Sequence, residues 1–488
     1  MTLFPGRRRT FATCAMLALI FCGATALVST ESLSQTQGRK ISAEISGAII
    51  KIDDYLSDAF IKSHFPAMSV TIVDRERTLL SKSYGKCEGT DAPFLLGSVS
   101  KSFTALCVMR LAEEGKIDLD ASVSEYIPNA AEGSKITVRE LLNHTAGLGE
   151  HQNLTNYKIT GKRGKHVYSN AGYALLGKII ESAGGISYED FVTQNIFEPL
   201  GMTRSAATKE QSLAQGLTPG HRNWFGISVR SRPRFPQTDR DWISVSAGYI
   251  TSSTEDLGKY LQMYLNGGGK IVSEAGIKAM LSEGVDVDAR IPYRYCMGWN
   301  LIGAPLKESV VRHSGIVETG MAVLYILPES GLGVAMAVST NDYFVGKDFM
   351  DRIDWSVAML LMGEEPDVLG KNEYAVRHLL YNLIYIAAVI FSALPLLCIR
   401  RFKSRLKASV RVTERRAKTV ILMVLVHIAL PVLLLFFPRV ALGTPLWVVR
   451  GFVPDMFAAI ITSAALLFAG GVVKALMLAA ELRDCRAK

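Results

Sequence analysis

The sequence predicts an α/β fold, an antiparallel sheet flanked by helices with an inserted helical lobe, followed by three transmembrane helices. Three observations lead there. Runs rich in β-formers lie near both ends of residues 41–362, at Ala67–Val73 and Thr78–Tyr84 and again between Tyr295 and Ser339. The stretch between them reads as helices broken by turns, which makes one domain with two lobes. Beyond Pro366 the composition becomes membrane-like, and the mean hydropathy of +0.21 is high for a soluble chain.

The formal charge of +9 has a local origin. Residues 400–418 hold nine Lys and Arg against one Glu, Arg7, Arg8 and Arg9 add three more, and the remainder is close to neutral. A basic loop beside apolar runs is a topology signal, so nucleic-acid binding is set aside. The seven cysteines are scattered without a C-x-x-C pair, which argues against a disulfide framework or zinc site. One bridge among Cys87, Cys107 and Cys296 stays open, and no cofactor is implied.

In chain order, residues 1–30 read as an export signal: Arg7-Arg8-Arg9, an apolar run from Phe11 to Val28, and small residues at Ala24-Thr25-Ala26. Arg8-Arg9-Thr10-Phe11 resembles a twin-arginine signal, and a Sec signal is the commoner reading. Ile45, Ile49, Ile52, Leu56 and Phe60 mark an amphipathic helix over Ile41–Lys62 that should lie against the sheet. A hairpin of Ala67–Val73 and Thr78–Tyr84 follows, then a helix opening at Ser98. Val138–Asn143, Asn170–Ser182 and Tyr188–Phe197 form the helical lobe. Residues 217–253 are irregular, and Trp224, Phe225 and Trp242 suit the rim of a cleft or the anchoring of loops. After a helix at Glu255–Leu265, strands are expected at Tyr295–Leu301, Ser309–Arg312, Met321–Leu327 and Gly333–Ser339, with a last helix over 348–362.

A linker over 363–378 leads to Leu379–Ile399, Thr419–Phe437 and Met456–Ala480, each with about 20 mainly apolar residues, enough to span a bilayer. The basic loop 400–418 belongs on the cytoplasmic side, which puts the chain before Leu379 outside. Signal and loop thus agree on a multi-pass protein of the cytoplasmic membrane with its folded domain on the periplasmic or extracellular face. Inside the spans, Lys474 could snorkel and His427 could face another helix.

Chemistry concentrates at Gly97-Ser98-Val99-Ser100-Lys101. Residues three apart on a helix share a face, so the Lys101 amine comes beside the Ser98 hydroxyl, which needs a base to become a nucleophile. The helix N-terminus offers N–H groups to a developing oxyanion. A bare S-x-x-K is weak evidence, since Ser404-Arg405-Leu406-Lys407 also fits. Tyr168-Ser169-Asn170 precedes another helix. Tyr168 near a lysine ammonium could lose its proton and serve as base and acid, and Asn170 could bind a substrate amide. Tyr264-Leu265-Asn266 fits the same pattern. His313-Ser314-Gly315 ends a short β-run that could pair with an extended substrate, with Ile316 giving a second oxyanion N–H.

Together and in this order, the three motifs resemble those of the class C β-lactamase and penicillin-binding-protein family of serine hydrolases. The flanks are similar too: Leu141-Leu142-Asn143-His144-Thr145-Ala146-Gly147-Leu148, Phe197-Glu198-Pro199-Leu200-Gly201-Met202 and Tyr295-Cys296-Met297-Gly298-Trp299. The resemblance covers residues 41–362 and implies a β-lactamase/transpeptidase-like fold. It implies Ser98 as acylated nucleophile, Lys101 and Tyr168 as the base pair, Asn170 as a substrate-orienting amide, 313–315 as the substrate strand, and the N–H groups of Ser98 and Ile316 as oxyanion donors. His144 and His151 gain no catalytic role. His313 departs from the lysine of many members; an imidazole with a pKa near ~6.5 is mostly neutral at pH 7, so a fixed cation for a substrate carboxylate is missing. The whole layout resembles membrane-anchored periplasmic prodrug-activating peptidases of the colibactin-activating type.

These resemblances imply a membrane-anchored serine peptidase cleaving an amide next to a D-amino acid in a small peptide or acylated substrate. An esterase or β-lactamase using the same site is the alternative. A non-catalytic acylated sensor is less favoured, because the cytoplasmic segments are too short for a signalling domain.

Overall fold

Strands of Val, Ile, Ala and Met build an eight-stranded antiparallel sheet in the computed structural model of this protein, which describes residues 30–288, 290, 292–410 and 413–486. The export signal expected at 1–30 lies outside these residues up to position 29, and Arg411 of the basic loop lies outside them too. The chain forms two units. One holds the described residues up to Arg222 together with Arg230–Lys371; the other holds Asn223–Val229 and the described residues from Asn372 onward.

In the first unit the strands are β1 (Ala67–Val73), β2 (Thr78–Gly85), β3 (Val285–Asp288), β4 (Tyr293–Cys296), β5 (Trp299–Ile302), β6 (Val310–Val317), β7 (Gly320–Leu327) and β8 (Leu332–Val338), in spatial order β2-β1-β8-β7-β6-β5-β4-β3. The two ends of the domain meet where β1 pairs with β8, from Met68↔Val338 to Val73↔Gly333. Every residue of β1, β7 and β8 is buried, as expected of strands covered on both faces. Helices in this unit include α1 (Thr30–Ser63), α2 (Ser100–Glu113), α3 (Asn170–Gly184), α4 (Thr254–Leu265) and α5 (Gly346–Leu361). Alternation along β1 turns Ser69 and Thr71 toward α4, where both meet the Thr254 hydroxyl at 2.7 and 3.0 Å. Phe103 of α2 stacks on Tyr260 of α4 with ring centroids 4.0 Å apart, which fixes α2 against the helix that covers the sheet.

Two strand expectations need correction. The run Tyr295–Leu301 is two strands, because Met297 and Gly298 take φ values of 40° and 88° and reverse the chain between β4 and β5. His313-Ser314-Gly315 lies in the middle of the eight-residue β6 instead of at a strand end, since β7 pairs with it from Val311 to Val317. Glu274–Ser282 is a helix that the sequence reading did not identify. Cys87, Cys107 and Cys296 are free thiols.

In the second unit, three helices are long and apolar enough to cross a membrane: Glu373–Leu406, Arg415–Ala441 and Pro454–Asp484, of 34, 27 and 31 residues. The first begins inside the stretch expected to be a linker. His427 and Lys474 pair with one another. His427 Nδ1–H donates to the Leu467 carbonyl at 2.6 Å, and Lys474 Nζ lies 3.1 Å from Nε2. Gly471 permits this approach, as a Cβ there would stand 2.5 Å from the His427 Cβ.

Candidate active site

A short 3₁₀ turn, Gly97–Val99, runs into α2, so Ser98 sits at the entrance and Lys101 one turn on. Ser98 is partly exposed, whereas Lys101 is fully buried. Lys101 Nζ has three oxygen neighbours: Ser98 Oγ at 3.1 Å, Asn170 Oδ1 at 2.8 Å and the Ala247 carbonyl at 2.6 Å. The amide and peptide oxygens can only accept, so they take two N–H bonds. The remaining valence of the nitrogen faces Ser98. As an ammonium it donates there; as an amine it presents its lone pair to the Ser98 proton. Burial lowers the Lys101 pKa to about 7, with the Glu150 carboxylate acting in the opposite sense. The amine form is therefore well populated at neutral pH.

Tyr168 and Asn170 reach this point because Ser169 caps α3. Its hydroxyl accepts from Gly172 N–H at 3.2 Å, which is worth about 1 kcal/mol to a helix N-terminus. Ser169 is held in turn by His144, whose Nδ1 accepts from the Ser169 N–H at 3.1 Å and whose ring lies 4.3 Å from that of Tyr168. That bond requires a neutral ring, and burial pushes the His144 pKa well down. Tyr168 is hydrogen-bonded to Ser98, yet burial raises its pKa by more than this bond lowers it. The phenol thus keeps its proton, contrary to the expectation that a nearby lysine would ionise it. Asn170 directs its carbonyl oxygen to Lys101 and donates one amide N–H to the Glu150 carbonyl at 3.5 Å, leaving its second N–H for a substrate.

The strand β6 closes the site from the other side. Gly315 and Gly97 are pressed together: a Cβ on Gly315 would lie 2.0 Å from the Leu96 oxygen and 2.6 Å from Ser98 N, and one on Gly97 would lie 2.4 Å from Ile316 N. The backbone N–H groups of Ser98 and Ile316 therefore flank this glycine contact. Alternation puts His313 on the Gly315 side and Arg312 on the other, where the guanidinium meets Asp354 at 2.6 Å and Asp351 at 3.1 Å. His313 is 3% exposed. Its Nδ1–H donates to the Ser314 carbonyl at 2.9 Å, and Nε2 faces the Tyr295 hydroxyl at 3.4 Å. Burial, aided by the charge of Lys101, pulls its pKa down to about 3, so the ring is neutral. The Ser314 side chain turns to the Arg312 face. β5 pairs with β6 only as far as Asn300↔Arg312, so among the described residues the edge from His313 to Val317 has no strand partner there.

Several contributors carry no sequence signal. The Ala247 carbonyl belongs to the short helix Val245–Gly248, held on α2 by Thr104 Oγ1 donating to the Ser246 oxygen at 2.7 Å. Ile250 N–H donates to Ser100 Oγ at 3.1 Å. His144 was legible only as part of a resembling flank. Trp242 stacks on His151 at 5.2 Å, while Trp224 and Phe225 belong to the second unit.

The family described as Beta-lactamase matches residues 51–358. Protein flp of Staphylococcus aureus is 25% identical over 438 residues, covering 81% of this chain and 84% of that protein. Penicillin-binding protein 4 of Amycolatopsis lactamdurans is 26% identical over 306 residues, covering 56% of this chain and 78% of that protein. Among solved structures, an octameric penicillin-binding protein homologue from Pyrococcus abyssi superposes with a TM-score of 0.57 at 26% identity, covering 67% of this chain and 80% of that one. A class C beta-lactamase superposes with a TM-score of 0.55 at 20% identity, covering 67% and 97%.

Proposed function

Because the chain belongs to the beta-lactamase family of serine hydrolases, we propose that it is a membrane-anchored peptidase that works through a Ser98 acyl-enzyme and cleaves an amide next to a D-amino acid. The observation that carries the chemistry is the Lys101 nitrogen, whose two acceptor-only neighbours aim its lone pair at Ser98 Oγ. Lys101 takes the Ser98 proton as the oxygen attacks the substrate carbonyl, and the N–H groups of Ser98 and Ile316 receive the oxyanion. As the C–N bond breaks, Tyr168 gives its proton to the leaving nitrogen and recovers one from Lys101. Water then attacks the ester carbonyl with Lys101 as base, and Ser98 leaves with its proton restored.

The substrate reading is supported by the open edge of β6, where an extended acyl segment can add as a strand, and by the neutral His313, which offers no fixed cation to a free carboxylate. The D-residue preference rests on the resemblance of the whole layout to prodrug-activating peptidases. A position of the hydrolase unit outside the cytoplasm is supported by the basic residues 400–418 that follow the first apolar helix. The same neutral His313 favours an esterase over a β-lactamase as the second reading.

The test compares N-acyl-D-residue amides, p-nitrophenyl esters and nitrocefin on wild type and Ser98→Ala. Turnover should be fastest on the D-amides and should vanish in the variant, together with labelling by a fluorophosphonate. Retained turnover in a folded Ser98→Ala protein would place the chemistry elsewhere, and esters hydrolysed with D-amides untouched would move the assignment to an esterase.

A further inference from the structure

The hairpin of His221–Trp224 and Ile227–Arg230 carries an apolar tip that the catalytic reading does not use. Trp224, Phe225, Ile227 and Val229 are 37%, 44%, 67% and 44% exposed. The turn itself is unusual. Phe225 and Gly226 take φ values of 56° and 91°, a two-residue reversal in which the first position favours Asn, Asp or Gly and strongly disfavours an aromatic residue. An aromatic side chain held there despite its backbone has a reason outside the turn.

The tip, residues 223–229, belongs to the unit that contains the three apolar helices. Asn382 Nδ2 donates to the Phe225 carbonyl at 3.0 Å, Phe225 N–H donates to Asp455 Oδ2 at 3.3 Å, and Asn223 Nδ2 donates to the Tyr374 hydroxyl at 2.8 Å. The Phe225 ring lies 6.4 Å from that of Tyr385. A helix rises about 1.5 Å per residue, so Asn382 and Tyr385 lie roughly 5 and 9 Å beyond Leu379, where the apolar run begins. Around them Leu379, Leu383, Ile384 and Ile386 are more than half exposed in the protein alone. The tip is therefore bonded to the first span at a depth where the span's own surface is apolar and uncovered.

We propose that residues 224–229 insert into the lipid bilayer at the boundary where the first and third spans begin, with Trp224, Phe225, Ile227 and Val229 as the lipid-contacting side chains. Trp and Phe at a headgroup boundary suit this position, since an aromatic body enters the acyl region while the indole N–H stays wet. The occupant of this surface is lipid because its apolar residues continue the exposed face of a bilayer-length helix. The proposal rests on the reading that the three helices cross a bilayer, and the test separates the two.

The full chain is placed in nanodiscs of phosphatidylcholine and phosphatidylglycerol, with p-benzoylphenylalanine replacing Ile227, or Val229 in a second variant. Ile386, on the first span, and Leu213, 55% exposed in the first unit, are replaced in parallel. Irradiation and mass spectrometry should find lipid adducts at 227 or 229 and at 386, and none at 213. Adducts at 386 without any at 227 or 229 overturn the hairpin insertion and leave the spans standing. Adducts at none of them overturn both readings. Adducts at 213 as abundant as at the tip, or protein adducts replacing lipid at 227 and 229, overturn the proposal as well.

Discussion

Lys101 makes the pH dependence of the reaction predictable. It must be neutral to accept the Ser98 proton, and its pKa is lowered to about 7, so falling pH charges it and switches the base off. kcat/KM on a neutral substrate should show an acid limb near pH 7, falling about tenfold per unit below it. Lys101→Arg keeps the charge permanently and should cost about 10²–10⁴-fold in kcat, the range general base catalysis supplies. Glu150 opposes the lowering of the Lys101 pKa, so Glu150→Gln should move the limb to lower pH, and a limb that stays in place would remove this coupling. The pair Ser98 and Lys101 was legible in sequence because an i, i+3 spacing on a helix fixes proximity. The state of Tyr168 was not. Whether a neighbouring cation or burial decides a phenol's pKa depends on how much water reaches it, and only the folded chain sets that. Ala247 acts through a backbone carbonyl, which any residue could have provided.

At the scale of elements, the turn carrying Ser98 and β6 are held by the contact of two glycines that are 218 positions apart in sequence. Gly315→Ala would drive a Cβ to 2.0 Å from the Leu96 oxygen, and since that neighbour is backbone, the turn carrying Ser98 must shift. A displacement of about 1 Å at a reacting atom can cost on the order of 10²-fold, so fluorophosphonate labelling of Ser98 should slow by at least that factor. The β7–β8 hairpin should be unaffected and the unit should stay folded; unchanged labelling would mean that the strand is not coupled to the nucleophile. Strand identity was legible here because Val, Ile and Ala runs bounded by turn residues leave few alternatives. Strand limits were less so. His313-Ser314-Gly315 looks like an ending because it is polar, yet β7 supplies it with a ladder partner at every position. The reversal at Met297-Gly298 was hidden because one glycine in an apolar run does not distinguish a bulge from a turn.

For the whole molecule, three helices long and apolar enough to cross a membrane were legible from length and apolarity alone, whereas nothing in residues 217–253 announced that their tip joins the same unit as those helices. The tip is seven residues within a stretch rich in Pro and Arg, and its partners are 150 residues or more away in sequence. Its energetics favour lipid. Holding Phe225 in a left-handed conformation costs roughly 1–2 kcal/mol. Removing each large apolar side chain from water returns about 1.5–3 kcal/mol, so two or three such residues outweigh the strain. The candidate catalytic groups at Ser98, Lys101, Tyr168, Asn170, Ala247 and 313–316 all belong to the first unit. A chain ended after Lys371 should therefore hydrolyse a small ester at the rate of the full protein while still pelleting with liposomes through the native tip. In the same fragment, Trp224→Ser, Phe225→Asn and Ile227→Thr should abolish pelleting and leave hydrolysis unchanged, because asparagine also suits the left-handed position that phenylalanine strains. A polar-tipped fragment that is soluble and folded but inactive would show that the residues beyond Lys371 contribute to catalysis, and a fragment that pellets equally with either tip would show that another surface holds it to lipid.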